Sequence, residues 1–127
     1  MSHHPKAYRP GKTYKGAVDD QGAYVVVHPD TGGNYALPWR LDLRNHSPTG
    51  LQWGYGGSGP SQCALALLAD HLGDDQATLR QYQGFKWAVV AKLPIDEPWE
   101  LTSEQVDFAL ARLQEEEGEL DEDPLPF

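Results

Sequence analysis

A 127-residue chain of 14.1 kDa with 39% hydrophobic residues has the length of one domain and enough apolar content to bury a core. Its net charge of −9 is uneven: from residue 94 onward twelve acids face one base, net −11, whereas the first 93 residues carry seven acids and nine bases, net +2. No apolar run approaches the roughly 18–20 residues of a membrane span, no apolar centre marks a secretory signal, and one cysteine excludes an internal disulfide framework.

These bounds point to a cytoplasmic protein that binds no membrane. Direct nucleic-acid binding is not expected of so acidic a chain. The near-neutral body, by contrast, is able to accept an anion.

In chain order, residues 1–11 read as a flexible N-terminal segment. The stretch "TYKGAVDDQGAYVVVHPDTGGNYALPWRLDLR" then has the texture of an antiparallel β-meander. "DDQG" at 19–22 and "PDTGG" at 29–33 are turn signals. "AYVVV" and "WRLDL" are strand candidates, the second because Trp39, Leu41 and Leu43 alternate with Arg40, Asp42 and Arg44. "LQW" at 51–53 is a candidate fourth strand.

Helical patterning begins at Pro60, which suits a first turn, with Ser58 or Gly59 as cap and Gly73 as the stop. This helix is apolar nearly all round, which predicts burial on most sides and makes Cys63 an inert core thiol. A second helix is expected from the Asp74–Asp75 cap to about Lys92, with Gly84 marking close packing or a bend. A third opens with a capping box from Thr102 to Gln105, with Leu101 and Val106 placed as a hydrophobic staple. The fold class is α+β: three to four antiparallel strands followed by two to three packed helices. One domain is expected over residues 12–113, and the acidic run 114–127 reads as a disordered tail.

The densest chemical signal is "NHSPTGLQWGYGGSGPSQ" at 45–62. "GYGGSG" matches G-x-G-x-x-G formally, but helix follows helix where a dinucleotide fold needs a second parallel strand. Pro60 also stands where a phosphate-loop lysine would be. What remains is the physics of a helix start: unpaired N–H groups, a dipole, and glycines that permit close approach. Gly57, Ser58, Gly59 and Ser61 could donate to an anion, and Arg44, His46 and Lys86 could add charge. Trp53 and Tyr55 could stack on a base or sugar. The same glycines also suit a purely structural turn.

Lys86 shares a helical face with Tyr82, which suggests a cation–π contact or a snorkelling lysine. His46 and Ser47 are neighbours, and such residues rarely form a nucleophile pair, so turn bonding is the expectation for Ser47. No catalytic residue, metal ligand or cofactor is assigned.

The segments "NHSPTGLQWGYGGSGPSQCALALLADHLGD", "YQGFKWAVVAKLP" and "PWELTSEQV" resemble a family of short bacterial proteins known only as a domain of unknown function. The resemblance spans about residues 8–113. It implies a setting in phages, plasmids or integrative elements and carries over no catalytic residue. The leading expectation is a non-enzymatic binding protein of mobile-element or prophage origin, with counter-defence as one role. It would hold an anionic small molecule such as a nucleotide, or a partner surface, at the 45–62 loop. The alternatives are a protein-interaction module or acidic nucleic-acid mimic acting through the C-terminal acids, and a small hydrolase or transferase with His46 as base. A sheet covered by helices on one side also leaves self-association open.

Overall fold

The computed structural model describes residues 11–122. Most of the expected N-terminal segment and the end of the expected tail therefore lie outside the described residues. Strands β1 (Lys12–Asp19) and β2 (Gly22–Pro29) form a hairpin in which Tyr14 faces Val27 and Gly16 faces Val25. The two-residue strand β3 (Tyr35–Ala36) pairs with β2. Helices α1 (Ser58–Leu72) and α2 (Asp75–Ala88) follow, then a 3₁₀ turn at Val90–Lys92. The chain then returns to the sheet as β4 (Trp99–Thr102) and ends in α3 (Ser103–Glu122). The four-stranded sheet is antiparallel throughout, in the order β3-β2-β1-β4. The α+β class is as expected, and a parallel crossover of dinucleotide-binding type is absent among the described residues.

Two strand expectations need correction. The segment "WRLDL" forms a turn: Arg40 takes a left-handed φ of 59°, and its carbonyl accepts from the Leu43 amide at 3.0 Å. The alternating side chains imitate a strand, but β3 has no further neighbour there. Arg40 instead grips Asp42 and, at the start of α2, Asp75. "LQW" keeps the alternation, with Leu51 and Trp53 buried and Gln52 exposed, yet it joins no ladder. The fourth strand is β4, whose Trp99 and Leu101 face the core while Glu100 crosses to Lys15. Trp99 lies flat on Gly16, where a Cβ would stand 2.3 Å from the indole, so only glycine admits the ring at this register.

α1 lies at the centre. Cys63 through Leu68 are fully buried, and burial pushes the Cys63 thiol up to about 12. Gly73 ends the helix in the left-handed conformation, φ 64°, returning its N–H to Ala69. The helix begins at Ser58, two residues before the expected Pro60, with Gly57 as N-cap. α2 starts as expected, the Asp74 side chain accepting from the Ala77 amide, and ends at Ala88 rather than near Lys92.

The capping box of α3 is formed in both directions: Gln105 donates to Thr102 Oγ1 at 3.1 Å and Thr102 to Gln105 Oε1 at 2.9 Å. α3 runs past Leu113 to Glu122, so the expected boundary after residue 113 falls inside a helix. None of the helices among the described residues is long and apolar enough to cross a membrane.

Gly84 is exposed in the interior of α2, and a Cβ there would meet Leu113 only at ordinary contact, 3.6–3.7 Å. The packing of α2 on α3 does not require it. Gly84→Ala is therefore expected to raise stability by about 1 kcal/mol, read as a higher urea midpoint with an unchanged m-value.

Candidate functional site

The loop from Gly54 to Gly59 is shaped by side chains laid directly on its glycines. Gly54 takes φ +90°, and a Cβ there would stand 2.8 Å from Ile95 Cβ. Its amide donates to the Val90 carbonyl at 3.0 Å. A Cβ on Gly56 would stand 2.2 Å from the Trp87 ring, and one on Gly57 2.7 Å from the Tyr55 ring. A Cβ on Gly59 would meet Gln52 at 2.5 Å. Each of these glycines thus admits a side chain against the backbone. Two of the admitted rings stay about half in solvent: Tyr55 is 46% and Trp87 57% exposed.

Lys86 lies beside this surface. Its side chain is buried along α2, and its ammonium lies 4.3 Å from the centroid of the Trp87 ring. The cation–π partner is thus Trp87 rather than Tyr82. The Tyr82 hydroxyl sits 2.7 Å from His46 Nε2, and their rings are 5.6 Å apart at a 46° tilt. That bond occupies one nitrogen of the proposed base.

The other expected residues fall in three places. Trp53 is buried, packed edge-to-face on Trp99 at 5.3 Å and 88°, and so cannot stack on a surface ligand. The Trp99 indole N–H has no hydrogen-bond acceptor among the described residues. Arg44 is exposed but turns its guanidinium back to the Leu43 carbonyl at 2.8 Å. At the start of α1, Ser58 is exposed and Gly57 half-buried, whereas Gly59 and Ser61 are buried. No side chain caps this helix start and no acid lies in its first turn, so no group of that turn offsets its positive end. Ser47 makes the expected turn bond, to the Gly50 carbonyl at 2.7 Å.

Two polar centres escape sequence reasoning. Gln62 is fully buried in α1 and uses its whole amide. Nε2 donates to the carbonyls of Trp39 at 2.7 Å and Arg44 at 3.0 Å, and Oε1 accepts from the amides of His46 at 2.7 Å and Ser47 at 3.2 Å. One side chain thereby holds the segment leading into the loop. At the other end of α1, Asp70 accepts from the hydroxyls of Tyr14 at 2.7 Å and Tyr35 at 2.6 Å, and from the Lys12 ammonium at 2.9 Å. The only signal for either was a polar residue within an apolar helical run.

Residues 14–112 match the model of a family described as a family of unknown function, DUF6166. No curated protein and no solved structure matches the chain.

Proposed function

We propose that this chain, which belongs to the DUF6166 family of unknown function, is a binding protein that holds an anionic ligand with a flat ring at the face of its glycine-rich loop. The observation that carries this reading is the placement of Tyr55 and Trp87 on the adjacent glycines Gly57 and Gly56, with the Lys86 ammonium beside Trp87. Large aromatic side chains left in solvent on a well-supported backbone mark recognition surfaces more often than they mark cores. The uncapped start of α1 at Ser58 adds a positive dipole end on the same loop. A nucleotide combines the ring and the negative charge these groups would take. The mobile-element setting implied by the motif resemblance would give such a protein a use in sequestering a nucleotide signal.

The test is a thermal-shift screen of the full chain against inorganic phosphate and mono-, di- and cyclic nucleotides. A ligand at 100 times its dissociation constant is expected to add about 2.7 kcal/mol of stability. Trp87→Ala, at an exposed position, is expected to keep the fold and weaken that ligand by about tenfold or more. A flat screen, or a ligand held equally well by Trp87→Ala, sinks the reading.

A further inference from the structure

Two shallow cavities lie along the junction of α2 and α3. One, of about 190 Å³, is bordered by Arg80, Gln81 and Gln114. The other, of about 480 Å³, is bordered by Trp87, Lys92, Phe108, Arg112 and Glu116. Both include Gly84 and Leu113, so they meet as one furrow whose floor is the glycine that intramolecular packing does not require. A glycine in an exposed helix interior costs stability and lets another body approach the backbone closely. Among the described residues that line it, the furrow carries three bases, Arg80, Lys92 and Arg112, and one acid, Glu116.

The same two helices offer what fits there. α3 presents Glu104, Phe108, Ala111 and Glu115 to solvent, spaced i, i+4, i+7 and i+11 on one face. Phe108 is 65% exposed, the highest value among the exposed large hydrophobic side chains of the described residues. Phe108, which borders the furrow with Arg112 against its ring, thus stands as an aromatic knob with Glu104 and Glu115 farther along the same face, beside a furrow that Gly84 lines between α2 and α3.

We infer that a second copy of this chain occupies the furrow, in a two-fold dimer where Phe108 of each copy sits over Gly84 of the other. Only a two-fold contact uses the same knob and the same furrow on both copies at once, which closes the assembly at two. The acids of one α3 then face Lys92 and Arg112 of the opposite copy, which fixes register more than it adds affinity. This inference does not rest on the ligand proposed for the glycine-rich loop, although the two surfaces share one residue. Trp87 borders both surfaces and is left unchanged in the test.

The experiment is sedimentation equilibrium of the full chain over a wide concentration range. The expected result is a mass rising from 14.1 kDa toward twice that value. Phe108→Ala and Gly84→Leu alter exposed positions, and circular dichroism and a urea midpoint confirm that each folds. Each is expected to raise the dimer dissociation constant by about tenfold or more. A wild-type chain that stays at 14.1 kDa throughout overturns the inference. Association unchanged in either variant overturns it too. Loss of association in Tyr24→Ser, whose exposed ring lies with Lys15, Val26 and Glu100 on the sheet, also overturns it, because the contact would then lie on the sheet and not on the furrow.

Discussion

Replacing Gln62 by leucine is expected to lower stability by about 3 kcal/mol, although leucine is apolar and the site is fully buried. The amide is the partner of two carbonyls and two N–H groups from Trp39, Arg44, His46 and Ser47. Its orientation follows from them, since donors face Oε1 and acceptors face Nε2. Leucine leaves all four without that partner, at about 1–3 kcal/mol for each one that water does not reach. Trp39, His46 and Ser47 are half-buried and Arg44 is exposed, so part of the loss is recovered from solvent. Urea unfolding should show the midpoint fall without a change in m. A loss below about 1 kcal/mol would mean that the 39–47 segment is held by its own turn and not by α1.

Asp70→Asn is expected to cost about 2 kcal/mol at neutral pH and to make the acid limb of the stability profile shallower. Burial alone would raise the Asp70 carboxyl. The bonds from Tyr35, Tyr14 and Lys12 outweigh it and hold the group below its ordinary 3.8. A carboxylate whose folded pKa is depressed contributes stability that is present above the unfolded value, near 3.8, and is lost as pH falls through the folded one.

Lys12 works in the opposite sense. Its burial opposes the charge, its bond to Asp70 raises its pKa above 10.5, and that contribution is lost as pH rises past this value. Burial and Asp70 raise Tyr35 above 10.0 as well, with the same sign. Urea midpoints from pH 2 to pH 7 are the measurement. Parallel acid limbs in the two proteins would show that Asp70 does not carry the acid sensitivity. The loss of about 2 kcal/mol lies below that of breaking a fully buried ion pair because the Lys12 side chain is 29% exposed and can be rehydrated.

What the amino-acid order determined by itself is local. The Asp74 cap, the Thr102–Gln105 box, the Gly73 stop, the 19–22 turn and the buried run of α1 depend on bonds and burial within a few residues, and each is present. The class of fold was legible for the same reason, because alternation and helical periodicity are short-range patterns. Tertiary structure decided what depends on partners far along the chain. "WRLDL" has the alternation of a strand and no neighbour to bond, while the four residues of β4 find an open edge on β1.

The candidate site divides on the same line. Glycine-rich character at 54–59 was plain in the sequence, as was the nearness of Tyr55. Whether an aromatic side chain near that loop ends in solvent or in the core was not. Trp53, within the loop segment, became a core anchor, and Trp87, some thirty residues away, became the exposed ring on Gly56. Gln62 and Asp70 read as polar interruptions of an apolar helix. Burial makes such groups costly unless every donor and acceptor is met, and only the folded chain brings the carbonyls, amides and hydroxyls that meet them.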